Sequence, residues 1–507
     1  MNINELDNMK SGLEKVVCYV EKKEDKFLFI FPEIDKDTLN NILKYKSWEF
    51  STWNNPNTEM VNYVKTYKDE YGSTVIETKD GLGFAPTLVK HLKGLGYILL
   101  KPNGSKFSLA ENCKTIKIPH FKFKLRDYQM DCYLKWSRDK LGVVKSPTGS
   151  GKTVIGAYAI KETKYKTLIL VHTLDLVELW YNSLSKSFGF GFTNRTGIFG
   201  GNKKIEDCIH KDIIIGTYQS ALKEKNMEYL KGAGFGFALL DECHHVPAQT
   251  FKKVVNSMNI PYKMGLSATP KRLDGREGDI YALLDNIKAN VSLSQLIKRG
   301  HVVKPYFYNV PVIDNEVASA VASSGKKGLA KAQMLKQLSS QSKVKIKKMM
   351  RLVNDFIDED ETFLIFADFI ESAQIIEEVI NEYLCKPKKN CFKSVPRVDQ
   401  KMNSETRNDL FNNVGYKYQG LIFAKLGSEG IDIPKIDNII ILSPSKSPTT
   451  FSQRVGRSLR PDKGKKYSKV FQFVLKNTKE EDWKDYSFEE YRNEGFLPKN
   501  IDIPEME

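Results

Sequence analysis

LGVVKSPTGSGKT, Leu141 to Thr153, reads as a short apolar strand, then a turn of small residues, then the start of the helix-length stretch Val154–Lys164. A glycine-rich turn at a helix N-terminus presents successive backbone N–H groups to phosphate oxygens. Gly149, Ser150 and Gly151 would form that cradle, Lys152 would reach the terminal phosphates, and the Thr153 hydroxyl would ligate Mg²⁺. Ser146 stands where the strict GxxxxGK[ST] pattern begins with glycine, so a small residue is kept but the pattern is not.

Outward from this turn, β-type runs alternate with helix-length stretches. Leu141–Lys145, Thr167–Val171, Ile213–Gly216, Phe235–Leu240 and Met264–Leu266 form one series. Thr362–Ala367, Leu421–Ala424, Ile439–Leu442 and Val470–Leu475 form a second. Such alternation builds parallel sheets with crossover helices. The expected fold is therefore α/β, two parallel-sheet domains in tandem. Before them, residues 1–115 mix strand-like segments with two helix candidates, Asp37–Tyr45 and Ala85–Leu95, and read as a small α+β domain. The expected divisions are 1–115, 116–303 and 304–507.

A second chemical signal comes after the run Phe237–Leu240, which ends in Asp241-Glu242-Cys243-His244. A carboxylate at a strand's C-terminal end can hold hydrated Mg²⁺, and its neighbour can orient and deprotonate an attacking water. Asp241 is expected on the metal and Glu242 on the water. Cys243, His244 and His245 do not read as a zinc site, because three adjacent side chains cannot all converge on one ion.

The charge balance is 78 Lys and Arg against 62 Asp and Glu, a net of +16. An excess of that size suits a polyanionic partner, since cations facing phosphates release counterions. Residues 1–120 contribute 17 Lys and 16 acids, so nearly all the excess lies downstream. Residues 321–350 alone hold eight Lys and no acid, either a solvated helix face or a phosphate-contacting arm. Seven scattered cysteines without a CxxC pair suggest neither a disulfide framework nor a zinc knuckle. No apolar run approaches the ~20 residues of a membrane span, and the start MNINELDNMK lacks the order of a secretory signal. A globular protein of a reducing, cytoplasmic compartment is expected.

Taken together, the phosphate loop, the DECH box, Ser267-Ala268-Thr269, GSEGIDIP (427–434) and QRVGRSLR (453–460) resemble, in order and spacing, the motifs of superfamily 2 helicases and translocases. The resemblance covers residues 121–461 and implies two RecA-like domains and the use of ATP with Mg²⁺. It implies that Gln129 in LRDYQ reads adenine and that Thr269 couples hydrolysis to motion. Gly430 and Asp432 would help close the site, Gln453 would contact phosphate, and Arg457 and Arg460 would be arginine fingers. Arg454, Arg457 and Arg460 recur every three residues, which on a helix makes one slanting cationic row. The strand-contacting positions implied are Thr173, Leu174, Gly200, Gly201, Thr217, Gln219, Arg407 and Lys425.

More closely, the DECH box, GLSATPKRLDG, SETRN and EGIDIP look like phage recombination helicases of the UvsW type, with XPB-like and RadD-like cousins. GLGFAPTLVKHLKGLGY (81–97) resembles part of their accessory domain. The resemblance implies a monomeric, ATP-driven DNA helicase for forks, D-loops, R-loops and Holliday junctions, serving recombination, repair and replication. Residues 1–115 would hold the branch, with Trp48, Trp53, Phe27, Phe29, Phe31, Lys90 and Lys93 recognising it, unless those aromatics pack a core. The alternatives are a duplex translocase of the restriction-subunit type, an RNA helicase, or a nucleic-acid-binding regulator switched by ATP.

Overall fold

The computed structural model describes residues 17–504 apart from 24–25, 33, 35, 44–46, 53–54, 63, 79–82, 246–248, 271–276, 385–393, 400, 425–432, 434 and 463. The chain divides into two compact units, the first ending at Asn290 and the second beginning at Val291, with residues 147–150 grouped with the second. This break falls before the expected 303/304. The reason is local: Ser292 caps the helix Leu293–Lys298, whose Ser294 N–H donates to Glu494 Oε2 at 2.9 Å, and Val303 N–H donates to the Leu459 carbonyl.

The first unit opens with β1 (Val17–Lys23), β2 (Lys26–Phe31), a separate hairpin of β3 (Ser47–Thr52) and β4 (Asn55–Asn62), then β5 (Val64–Lys68), β6 (Thr74–Thr78) and β7 (Ile98–Leu100). Five of these form a mixed sheet in the order β5-β6-β2-β1-β7, antiparallel except for the β1/β7 pair. Phe27, Phe29 and Phe31 share a face of β2 as the alternation predicts, and that face is core. Phe27 packs edge-on against Phe107, and Phe31 against Tyr97.

The helix Ala85–Gly94 joins this small sheet to the larger one of the same unit. Ala85, Leu88, Val89 and Leu92 are buried, and Leu88 and Leu92 lie one turn apart on the same side. Around them the polar contacts are specific. Thr87 Oγ1 donates to the Ala282 carbonyl at 2.7 Å, Gly83 N–H donates to the Asn256 carbonyl at 2.7 Å, and Lys90 pairs with Asp139 at 2.9 Å and with Asp285. Lys263 is buried in the larger sheet, donating its ammonium to the Gly83 and Leu283 carbonyls, and burial holds it down to about 7. Lys90 therefore serves this junction.

The larger sheet is seven-stranded and parallel. It contains β8 (Leu141–Lys145), β9 (Thr167–Val171), β10 (Thr196–Phe199), β11 (Ile213–Thr217), β12 (Phe237–Asp241), β13 (Tyr262–Ser267) and β14 (Ile287–Asn290), ordered β10-β11-β9-β12-β13-β8-β14. Strands buried on both faces read as continuous apolar runs, which is why TLILV, IIIGT and FALLD show no alternation.

The second unit repeats the plan with β15 (Lys304–Val312), β16 (Phe363–Phe366), β17 (Arg397–Asp399), β18 (Gly420–Ala424), β19 (Asn438–Ile441), β20 (Tyr467–Leu475) and β21 (Lys499–Asn500). Its order is β17-β18-β16-β19-β20-β15-β21, all parallel. Two parallel seven-stranded sheets with a small N-terminal mixed sheet make an α/β protein of two RecA-like domains.

The lysine-rich run becomes the helices Asn315–Ser323, Gly328–Ser340 and Lys343–Phe356. It does not act as one cationic face. Lys345 is fully buried and donates to Glu480 at 2.7 Å, to Ser339 at 2.5 Å and to the Leu442 carbonyl at 2.8 Å. Lys348 lies 3.3 Å from Asp502, whereas Lys326, Lys327 and Lys347 are exposed. Removing one partner of a buried ion pair leaves an uncompensated charge. Glu480→Ala is therefore expected to lower stability by about 3 to 5 kcal/mol in equilibrium denaturation. A change below about 1 kcal/mol would show that Lys345 finds water or another acceptor.

Candidate nucleotide site and nucleic-acid face

β8 delivers Lys145 to the phosphate loop, and the helix Lys152–Thr163 starts on its far side. Gly149 and Gly151 have φ of +83° and +79°, the left-handed region where an L side chain is strained. A Cβ on Gly151 would also come within 2.6 Å of the Gln129 amide nitrogen, so Gln129 lies against the loop. Its Oε1 accepts from the Arg126 N–H at 3.0 Å, closing a capping box on the helix Asp127–Ser137.

Lys152 Nζ donates to the Ser146 carbonyl at 3.3 Å and stands 3.8 Å from Glu242 Oε1. Asp241 ends β12 and Glu242 comes directly after it, both buried. Glu242 has a φ of +44°, a strained conformation for a non-glycine residue of the kind that collects at functional sites. Asp241 is pinned twice: the Trp180 indole N–H donates to Oδ2 at 2.7 Å and the Glu242 N–H to Oδ1 at 3.0 Å.

The electrostatics of the pair are asymmetric. Burial, and then the adjacent Glu242 charge, push the Asp241 carboxyl well up from its ordinary value. Burial also works to raise Glu242, but the Lys152 charge and a hydrogen bond from His244 outweigh it and hold Glu242 low. His244 Nδ1 lies 3.3 Å from Glu242 Oε2 and 3.2 Å from Ser267 Oγ at the end of β13. The three imidazoles form a ladder, His244 on His245 at 4.2 Å and His245 on His172 at 4.4 Å between ring centroids. Among the described residues no three or more His, Cys, Asp or Glu side chains gather as a metal cage. Two buried carboxylates facing one lysine, with the Thr153 hydroxyl at the helix start, are a hard-oxygen set. Such a set suits Mg²⁺ held partly by substrate phosphates and water.

A second group of residues gathers at the carboxyl ends of β9, β10 and β11. Thr173 caps the helix Leu174–Phe188, its Oγ accepting from the Leu176 N–H at 3.4 Å, and Leu174 is 51% exposed. Gly200 and Gly201 come just after β10, so close that Cβ atoms there would stand 3.5 and 3.3 Å from the Leu174 side chain. Thr217 caps the next turn by accepting from Ser220 N–H, leaving Gln219 exposed beside it. Thus Thr173, Leu174, Gly200, Gly201, Thr217 and Gln219, distant in sequence, share one face.

In the second unit, Gln453 and Arg454 lie on the helix Pro448–Gly456, with Arg457 as its C-cap. The expected continuous arginine row does not form. Ser458 bonds back to Val455, and Pro461 disfavours helical backbone at Arg460, so the helix stops and Arg460 leaves its axis. Arg454 is committed internally, paired with Asp368 and stacked 4.8 Å from the Phe366 ring centroid. Lys465 braces the turn by donating to the Ser458 carbonyl at 2.6 Å. Burial pulls Arg460 down from its ordinary value. Arg407 is half-buried on the helix Ser404–Asn412, while Lys425, Gly430 and Asp432 lie outside the described residues. Sequence reasoning did not single out Trp180, Asp368 or Lys465, because no motif marks a residue that acts only through its neighbours.

Two family models match the chain: "Type III restriction enzyme, res subunit" over residues 122–272 and "Helicase conserved C-terminal domain" over 344–462. Rad25 of Halobacterium salinarum is 27% identical over 364 residues, covering 71% of this chain and 55% of that one. The DNA 3'-5' translocase XPB2 of Sulfurisphaera tokodaii is 27% identical over 383 residues, covering 70% and 83%. The matched part thus spans little more than half of Rad25. Among solved structures, the DNA-bound Type ISP restriction-modification enzyme LlaBIII aligns with a TM-score of 0.54 at 18% identity, covering 76% of this chain and 32% of that one. At that identity the likeness shows the fold. No helix among the described residues is long and apolar enough to cross a membrane.

Proposed function

We propose that the chain is a superfamily 2 helicase, an ATP-dependent DNA motor that unwinds or branch-migrates forks, D-loops, R-loops and Holliday junctions in recombination, repair and replication. The observation that carries the motor reading is the convergence at the carboxyl ends of one parallel sheet, where open α/β sheets bind ligands. The phosphate loop and Asp241-Glu242 lie there, together with the exposed cluster around Leu174, Gly200 and Gln219.

In this reading Lys152 and the loop amides hold the β- and γ-phosphates. Glu242, kept ionised by Lys152 and His244, orients the attacking water and accepts its proton. Thr153 and Asp241 would hold Mg²⁺, which supplies charge neutralisation at the phosphates. Gln129 reads the base. Gly430 and Asp432 complete the site, Gln453 contacts phosphate, and Arg457 and Arg460 supply positive charge to the transition state. Small polar groups and backbone amides at Thr173, Leu174, Gly200, Gly201, Thr217 and Gln219, with Arg407 and Lys425, grip one strand without reading its sequence. Specificity for branches is assigned to residues 1–115, whose sheet is joined to the first motor domain through the helix Ala85–Gly94. The protein acts as a monomer, and its compartment is the cytoplasm.

Unwinding assays on fork, D-loop, R-loop and flush duplex, with Lys152→Ala as control, test this. ATP-dependent separation of the branched substrates with little action on the flush duplex is expected. Translocation on flush duplex without strand separation would instead support a restriction-type duplex motor, the reading favoured by the family model over residues 122–272. Preferential RNA unwinding, or ATP binding that only alters affinity, would overturn both.

The lysine-rich helices add a salt-dependent grip. Lys326, Lys327 and Lys347 are exposed and available to phosphates, whereas Lys345 is not. Changing the three to Gln is expected to flatten the salt dependence of DNA binding by about 0.7 to 0.9 log units for each phosphate no longer neutralised. An unchanged slope would make them a solvated face.

A further inference from the structure

We propose that Trp180 is a positioning residue for Asp241: its indole N–H fixes the plane of that carboxylate so that Asp241 meets the divalent cation in one orientation. The inference rests on the nucleotide-site reading above and extends it to a residue outside the motifs.

The geometry is specific. Trp180 is fully buried, and its Nε1 donates to Asp241 Oδ2 at 2.7 Å, while Oδ1 takes the Glu242 N–H at 3.0 Å. A carboxylate rotates readily about its last torsion. With one donor on each oxygen, rotation breaks two hydrogen bonds at once. Each oxygen retains a second lone pair for a metal-bound water or the metal itself. Indole is a donor only, so it presents no competing lone pair and favours the ionised carboxylate, the form that binds metal.

Trp180 is itself immobilised. It sits on the helix Leu174–Phe188, and the phosphate-loop helix passes so near that a Cβ on Gly156 would stand 2.8 Å from the indole Cη2 and 2.5 Å from Leu239 Cδ1. Leu239 lies on β12, two residues before Asp241. One side chain thus touches the helix after the phosphate loop and the carboxylate at the end of β12. Packing alone would need only a large apolar ring; the hydrogen bond is what phenylalanine cannot supply. Partners that orient metal ligands commonly carry a roughly 10- to 100-fold effect on metal affinity or activity when removed.

The test is Trp180→Phe in the full chain, read by the Mg²⁺ concentration that half-saturates ATP hydrolysis and, without turnover, by Mn²⁺ binding in the presence of ADP. The expected result is a rise of about 10-fold or more in both. ADP affinity without metal and thermal stability should stay near wild type, and saturating Mg²⁺ should restore most of kcat. Should Trp180→Phe fold poorly, benzothienylalanine at position 180 replaces only the N–H by sulfur and keeps the ring. Unchanged metal dependence in either variant overturns the proposal, as does an equal loss of ADP binding with and without metal. If wild-type ADP binding shows no metal dependence, and Lys152→Ala leaves it intact, the nucleotide-site reading fails and takes this inference with it. Normal wild-type behaviour with an indifferent Trp180 variant removes this inference alone.

Discussion

Lys152→Ala is expected to abolish ATP hydrolysis while DNA affinity stays within a few-fold of wild type. Lys152 Nζ is the cation of the phosphate loop, 3.3 Å from the Ser146 carbonyl and 3.8 Å from Glu242. Its loss removes charge neutralisation at the β- and γ-phosphates, and catalysis of phosphoryl transfer consists almost entirely of such positioning and neutralisation. It also removes a main cause holding Glu242 ionised next to Asp241. The exposed face at Leu174 and Gln219 contains none of these groups, so strand binding should persist. Steady-state hydrolysis and fluorescence-anisotropy DNA binding check the two halves. Near-normal turnover would mean that nucleotide binds elsewhere.

Arg457→Ala and Arg460→Ala are each expected to lower kcat by about 10³-fold or more with little change in ATP affinity. A side chain that meets charge developing only in the transition state contributes to kcat and leaves ground-state binding alone. Arg454→Ala should behave differently. Its guanidinium is committed to Asp368 and the Phe366 ring, so its loss should be felt in stability. Single-turnover hydrolysis beside nucleotide titrations separates the cases. A loss confined to affinity at Arg457 or Arg460 would make them ground-state binders, and no effect would leave them without a part in hydrolysis.

Much of this was readable from the chain because parallel strands announce themselves as uninterrupted apolar runs and phosphate loops need particular residue types in a fixed order. Every strand expected in the two motor domains is present, with ends shifted by a few residues at most, as at β20, which starts at Tyr467 instead of Val470. What resisted reading was chemistry set by distant partners. Lys345 looks like any lysine in a basic run until Glu480, far along the chain, closes over it. The three phenylalanines of β2 could face DNA or core by periodicity alone, and only neighbours such as Phe107 and Tyr97 decide it. The arginine row failed for a local reason, since the proline after Arg460 ends the helical geometry that an every-third spacing assumes.

The junction around the helix Ala85–Gly94 bears on how the chain is made. Thr87 and Ala282 meet across 195 residues, and Gly83 and Lys263 across 180. A ribosome adding about 5 to 20 residues per second releases the N-terminal sheet well before its partners on the first motor domain exist. Meanwhile the side of Ala85–Gly94 that meets Ala282 and Asp285 has nothing to cover it. Contacts of such sequence separation form slowly, because a long loop must close before any of them is made. The first unit should therefore acquire its full structure only after residue 290 has emerged, with its N-terminal segment open to chaperones until then.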